Sequence, residues 1–251
     1  MTVSIITVSY NRAATIVAAM ESVLRQRRRN YQLEYIVVDG NSVDGTAELV
    51  RDFASRAQGG IAFKWLSEPD RGIYDAMNKG IGMATGDIVG IVNADDVFDS
   101  DDVLQRIVDS FDDSLEAVYG DVRFVRDGRT VRYVSGRRFR RWMFRFAVFP
   151  PHPATFIRRA CFARWGGYDI SYRISGDFDL LLRFMRLQGM SARYVPVCTH
   201  AMAVGGVSTD LARHDEMERE DLRSMREHGI FSCRALMALR YPFKLMQLFR
   251  R

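Results

Sequence analysis

The chain has 251 residues, 47% of them hydrophobic and 27% charged, which excludes a disordered or fibrous protein and leaves room for one large domain or two small ones. Its net charge of +5 hides a division: residues 1–122 carry 11 basic and 20 acidic side chains (−9), and residues 123–251 carry 25 and 11 (+14). Cys161, Cys198 and Cys233 are too scattered for a disulfide scaffold or a zinc site, and neither a signal peptide nor an apolar run of about 18 residues is present, so a cytoplasmic protein is expected.

In chain order, the first 115 residues alternate β-rich runs with helix-period segments. Val3–Val8 reads as a buried strand, followed by a helix over Thr15–Leu24. Glu34–Val38 is a second strand, ending at Asp39-Gly40, and Asp44 or Thr46 opens a helix to about Arg56. Ile61–Leu66 is a strand and Ile73–Ala84 a helix. Asp87–Val92 is a strand ending at Asn93, and Asp101–Phe111 a helix capped by Asp99 or Ser100. This alternation predicts βαβ crossovers and a mostly parallel sheet.

Beyond Ala117 the pattern changes. Ala117–Val125 and Thr130–Val134 predict a hairpin turning at Asp127-Gly128. Thr155–Ile157 and Tyr194–Val197 read as short strands, and Asp177–Leu187 and Leu211–His228 as helices. Ser232–Arg251 reads as a final amphipathic helix that Pro242 kinks or splits. The expected organisation is one α/β unit over residues 1–210, divided near residue 115, with a helical extension over 211–251.

Ligands of open α/β sheets bind beyond the carboxyl ends of the strands. Polar residues collect at those ends here, as Ser9-Tyr10-Asn11, Asp39-Gly40-Asn41 and Asn93-Ala94-Asp95-Asp96. Ser-Tyr-Asn-Arg-Ala-Ala after the first strand is not a Gly-x-Gly-x-x-Gly loop, and no Walker lysine loop exists. Adjacent Asp95 and Asp96 repel each other unless donors or a cation compensate. Such oxygen ligands suit Mn²⁺ or Mg²⁺ shared with substrate phosphates. The alternative is a cluster favouring the N-terminus of the next helix.

Five blocks resemble the family 2 glycosyltransferases. They are Ile6–Asn11, Val37–Thr46, Ser67–Gly80, Ala84–Asp87 and Asn93–Asp96, in the family's order and spacing. The likeness covers about residues 3–210 and is closest to members that build bacterial exopolysaccharides, of the colanic-acid type, and glycolipids. It implies a GT-A fold: a Rossmann-like nucleotide-binding half on a mostly parallel sheet, and a mixed acceptor half. It also implies a nucleotide-sugar donor, a divalent metal, and inversion at the anomeric carbon. By the same likeness, Ser9, Tyr10 and Asn11 contact the nucleotide, and Asp39 hydrogen-bonds the base, which leans the donor towards UDP. Asp70 and Arg71 border the base and diphosphate, Asn93 bonds a ribose hydroxyl, and Asp95, with Asp96 beside it, holds the metal. Asn93 departs from the family, where an Asp is common.

Ser175–Arg183 is similar to the family's Glu-Asp-x-Asp-Leu segment, with Gly176 in place of the Glu. The likeness makes Asp177 the catalytic base; a plain helix N-cap is the other reading. Asp179 fits a first-turn partner of the helix dipole. His152, in Pro-Pro-His-Pro-Ala-Thr-Phe, stands where relatives place a residue near acceptor or diphosphate, against a structural role. Gly205-Gly206-Val207-Ser208 resembles a donor-closing loop, against a simple turn.

Arg123–Arg145 contains nine arginines and one acid, Asp127, interleaved with Phe124, Tyr133, Phe139, Trp142 and Phe144. The final helix places Leu236, Leu239, Phe243 and Met246 on one stripe, and Arg240, Lys244, Gln247 and Arg251 on another. Such elements suit the surface of an anionic membrane; a solvated face or a subunit contact is the alternative. The expected protein is an inverting transferase at the inner face of the cell membrane, passing sugar to a saccharide or lipid-linked hydroxyl. A nucleotidyltransferase, a nucleic-acid-binding protein and a non-catalytic scaffold are the rivals. The first lacks its basic loop, and the second leaves the acidic strand ends unexplained.

Overall fold

The computed structural model describes residues 1–56, 60–204 and 213–241. Its central sheet runs β3 (Ala62–Ser67), β2 (Gln32–Asp39), β1 (Thr2–Ser9), β4 (Ile88–Ile91), β8 (Thr155–Arg158), β6 (Ala117–Arg126), β9 (Ala192–Ala203), β5 (Asp96–Phe98), with β7 (Arg129–Val134) paired to β6. The first half is wholly parallel. β1 lies between β2 and β4, and β3 flanks β2. Their crossovers are α1 (Ile16–Leu24), α2 (Thr46–Arg56) and α3 (Ile73–Met83). The second half is mixed. β8 is antiparallel to β4 and β6, while β9 is parallel to β6.

Side chains alternate across the parallel strands, so both faces are buried. Val3, Ile5, Tyr35 and Val37 pack with α1, α2 and α4 (Val103–Asp109) on one face. Ile6, Val8, Ile36 and Val38 pack on the other with α3 and the aromatic cluster of Phe144, Phe178 and Phe184. Consecutive β-branched residues in β1 and β2 therefore make two cores from one sheet. Glu34, 2% exposed in β2, is held by Ser4 Oγ, Lys64 Nζ at 2.6 Å, and the Thr85 N–H and hydroxyl. Burial alone would raise its carboxyl; these donors outweigh it and bring the group down to about 2.

The hairpin forms where expected. β6 and β7 (Arg129–Val134) turn through Asp127 at φ 51° and Gly128 at φ 73°, the left-handed pair that a two-residue turn requires. Several sequence expectations need correction. Asp96–Phe98 is a strand, β5, antiparallel to β9, and β9 runs twelve residues instead of four. Pro196 and the polar Thr199-His200 hide β9 from period-2 reading, yet both polar residues are fully buried between β6 and β5.

The start of α4 is capped by neither Asp99 nor Ser100. Asp99 pairs with Arg123, Ser100 Oγ donates to Asp102, and the Leu104 N–H is accepted by Gln26 Oε1 at 3.0 Å. A cap supplied by the loop after α1 leaves no local signature. The Asp177–Leu187 helix is two pieces, α6 (Gly176–Leu181) and a π-helical turn over Leu182–Leu187. α5 (Arg159–Trp165) and a 3₁₀ turn over Arg141–Phe146 complete the second half.

After residue 213 come α7 (His214–Glu227) and the short α8 (Arg234–Ala238). Arg240, placed by sequence on a lipid-facing stripe, is 2% exposed and bonds Asp221 at 3.3 Å and Glu218 at 3.1 Å. Phe139 and Phe144 of the basic stretch are core residues, whereas Trp142 is 56% exposed. Gly205–Ser208 and the stripe positions Phe243, Lys244, Met246, Gln247 and Arg251 lie outside the described residues.

Candidate active site

A cavity of about 620 Å³ opens at the carboxyl ends of β1 and β4. It gathers Ser9, Tyr10, Asn11, Asp70, Asn93, Asp95, Asp96, His152 and Asp177 into one lining. Asp39 and Arg71 are not part of that lining. Arg12, Tyr74, Phe124, Arg173, Met202 and Arg213 are, and the sequence marks none of them as a site residue. Arg12 adjoins one motif block and Tyr74 lies inside another. Met202 and Arg213 carry no local signal.

The loop after β1 is stitched to the loop after β2. Asn11 takes φ 51°, its N–H donates to Ser42 Oγ at 2.8 Å, and its side-chain oxygen accepts the Val43 N–H at 3.0 Å. Arg12 N–H donates to Thr46 Oγ1, and Ala13 N–H to Asp44. Asn11 therefore shapes the cavity rim rather than offering its carbonyl to a ligand. Tyr10, 60% exposed, presents a free ring at the mouth, a surface on which a base can stack.

Asp39 is fully buried behind that rim. Its Oδ1 accepts Ser9 Oγ at 3.1 Å and Ser42 Oγ at 2.5 Å; its Oδ2 accepts the Ser42 N–H at 2.9 Å and Ser67 Oγ at 2.7 Å. Four donors fill the four acceptor positions of a carboxylate. In this arrangement Asp39 ties the ends of β1, β2 and β3 together, and direct contact with a base needs one serine hydroxyl to turn away. Asp70 sits over β2's end, its Oδ1 accepting the Gly72 N–H at 2.9 Å. A β-carbon at Gly40 would lie 2.4 Å from Asp70 Oδ2, so glycine is what permits this approach. Arg71 points outward and pairs with Asp75.

The adjacent acids are not equivalent. Asp96 is 3% exposed, accepts Asn93 Nδ2 at 3.0 Å, and is pushed up to about 7 by burial and by the Asp95 charge. Asp95 is half-buried, with Arg12 Nε 3.9 Å away. Among the described residues no three His, Cys, Asp or Glu side chains group to cage a metal. Asp95, the more exposed of the adjacent pair, instead fits the mode in which substrate phosphates and water supply most ligands.

Asp177 stands opposite, in the first turn of α6. Its Oδ1 accepts the Phe178 N–H at 2.8 Å, and Tyr74 OH lies 3.5 Å away. Burial raises its carboxyl to about 6, Phe178 and Tyr74 partly offset that, and the Glu220 charge adds to it. Such a group is ionised at neutral pH yet basic enough to take a proton. Gly176 has a steric cause: a β-carbon there would sit 2.7 Å from the Tyr74 ring, whose OH bonds Ile174 O. Asp179 is more than a dipole partner. It is 2% exposed and accepts Arg183 Nε, Ser224 Oγ and His228 Nε2 at 2.8–2.9 Å, linking α6 to α7. His152 lines the cavity, but burial lowers it to about 4 and its Nε2 is shared with Tyr168 OH at 2.6 Å. It is a neutral ring at pH 7.

The chain matches the model of glycosyl transferase family 2 over residues 4–172. A glycosyltransferase of Mycobacterium tuberculosis (strain ATCC 25618 / H37Rv), itself uncharacterized, is 34% identical over 198 residues, covering 72% of this chain and 68% of that protein. A PGL/p-HBAD biosynthesis glycosyltransferase of the same strain is 30% identical over 219 residues, covering 86% and 82%. Among solved structures, S. aureus TarS 1-349 in complex with UDP superposes with a TM-score of 0.64 at 17% identity, covering 90% of this chain and 64% of that one. This chain spans only 43% of the longer TarS chain. The mannosyltransferase PcManGT from Pyrobaculum calidifontis, in complex with GDP-Man and Mn²⁺, gives a TM-score of 0.63 at 21% identity, covering 99% and 81%. These solved structures share the α/β fold of the chain, the GT-A arrangement. By the extent of its family match and the identity of its relatives, the chain belongs to glycosyl transferase family 2.

Proposed function

We propose that the chain moves a sugar, with inversion, from a nucleotide-diphosphate donor to a hydroxyl of a saccharide or lipid-linked acceptor in cell-surface polysaccharide or glycolipid synthesis. The observation that carries this is the meeting of Asp177, with its raised carboxyl, and the strand-end residues of β1 and β4 in one cavity. In the reaction the acceptor oxygen bonds to the anomeric carbon while the bond from that carbon to the diphosphate oxygen breaks, its electron pair leaving with the diphosphate. The acceptor's proton passes to Asp177, which holds it away from the leaving group. Tyr10 and the Ser9 backbone frame the nucleotide at the mouth. Asp95 would hold a Mn²⁺ or Mg²⁺ ion, which neutralises charge on the diphosphate when bound.

A UDP-sugar is the favoured donor, supported by the UDP and UDP-GlcNAc complexes of TarS; the GDP-Man and Mn²⁺ complex of PcManGT supports the metal and keeps GDP as the competitor. The glycolipid acceptor draws support from the relative in PGL/p-HBAD biosynthesis. Action at the inner face of the membrane is supported by exposed Arg137, Arg138, Arg140, Arg141 and Arg145 around exposed Trp142. No helix among the described residues is long and apolar enough to span a bilayer. The test is thermal denaturation with UDP, GDP and dTDP, with and without Mn²⁺. UDP should raise the melting temperature most, and more with Mn²⁺. The absence of any metal-dependent stabilisation would sink the donor site.

A further inference from the structure

The segment entering α6 carries three cavity-lining residues, Arg173, Ile174 and Asp177. Its backbone is held from outside by one side chain. Glu220 of α7 accepts the N–H groups of Arg173 at 2.8 Å, Ile174 at 2.9 Å and Ser175 at 2.8 Å. Three consecutive N–H groups converging on one carboxylate form a closed anion nest, with charge-assisted hydrogen bonds on every donor. Ser175 Oγ donates to Met217 O on the same helix, and Asp179 is bonded by Ser224 and His228. α7 is thus fastened to α6 on both sides of Asp177, and Arg240 secures α7 through Glu218 and Asp221.

We propose that Glu220 is a positioning residue for the reaction: by holding three consecutive N–H groups it fixes the entry of α6, and so the place of the Asp177 carboxylate. The proposal rests on the reading of Asp177 as the base. The groups facing Asp177 are Tyr74 from α3, Tyr168 from the loop after α5, and Glu220 and Asp221 from α7, with Arg173 and Arg213 on the same cavity lining. Asp221 is buried against Arg240, so Glu220 is the anion of α7 that meets the α6 backbone directly.

Glu220→Gln keeps the shape and removes the charge and part of the acceptor set; Glu220→Asp keeps the charge and draws it back. Both are assayed for sugar transfer over pH, with amide hydrogen exchange read at Ile174 and Ser175. In Glu220→Gln, kcat should fall roughly 10- to 100-fold with the donor KM held, and exchange at both amides should accelerate. The acid limb of kcat should move to lower pH, because removing a negative neighbour lets Asp177 ionise earlier. Glu220→Asp should lose turnover and leave that limb in place. Should Glu220→Gln not fold, faster exchange with lowered kcat in Glu220→Asp still supports the proposal, and wild-type values there overturn it. Normal turnover and an unmoved limb in folded Glu220→Gln overturn it while an inactive Asp177→Asn leaves the base reading intact. An Asp177→Asn enzyme with wild-type turnover overturns both.

Discussion

At the scale of single residues, the site is paid for in stability. Asp177 has a carboxyl raised to about 6 from 3.8, chiefly by burial. A group raised in the folded state favours folding when protonated and loses that contribution as pH climbs from about 4 through about 6. Asp177→Asn removes the ionised form. It should cut kcat by roughly 10²–10⁴-fold, yet raise the melting temperature by roughly 2–5 °C at pH 8. The gain should shrink towards zero at pH 4. Calorimetry of the two proteins at both pH values checks this, and a variant less stable at pH 8 contradicts it. Asp39 is the opposite case. Its four donors leave no free acceptor position, so the residue most readily assigned to a ligand is also the knot of three strand ends.

At the scale of elements, the α3–α6 contact decides where the proposed base stands. Tyr74 stacks on Tyr168 at 5.5 Å, bonds Ile174 O and lies flat against Gly176. Replacing a helical glycine by alanine ordinarily stabilises a helix by up to about 1 kcal/mol. Here a β-carbon 2.7 Å from the ring must push Tyr74 or α6 aside. Gly176→Ala should therefore destabilise by roughly 1–3 kcal/mol and lower turnover as Asp177 shifts. Urea denaturation supplies the measurement, and a variant at least as stable as wild type removes the steric account of Gly176. The motif segment was legible in sequence; the reason for its glycine was not, because Tyr74 comes from another helix about a hundred residues away.

At the scale of the whole molecule, the charge division has a spatial counterpart. The acidic half supplies the strand ends where the proposed function places the negatively charged donor and its bridging cation. The basic half supplies α6, α7 and an arginine-rich surface bearing Trp142, 56% exposed; Phe231, 77% exposed, precedes Ser232, whose Oγ donates to Arg145 O. If that surface meets lipid, vesicles with anionic headgroups should bind the protein and neutral ones should not. Binding should weaken several-fold between about 50 and 200 mM salt as exposed charges are screened. Equal flotation with both vesicle types defeats this reading. Arg240 does not contribute, because it is spent inside the molecule on Glu218 and Asp221.

The sequence by itself determined the parallel half, the β6–β7 hairpin and the residues at the strand ends. Each is written in local chemistry: β-branched runs, an Asp-Gly turn, and polar residues following apolar ones. It also marked Asp177, through a short motif. Only the tertiary structure decided that Asp39 faces three serines, that Asp96 is a buried strand residue beside a half-exposed Asp95, and that His152 is a neutral ring held by Tyr168. It also decided that a helix beyond residue 213 holds the entry to α6. These are pairings between distant segments, and burial sets the charge state of each carboxyl and imidazole. A linear sequence lists the groups; the fold selects which donor reaches which acceptor, and so which of them remain available for chemistry.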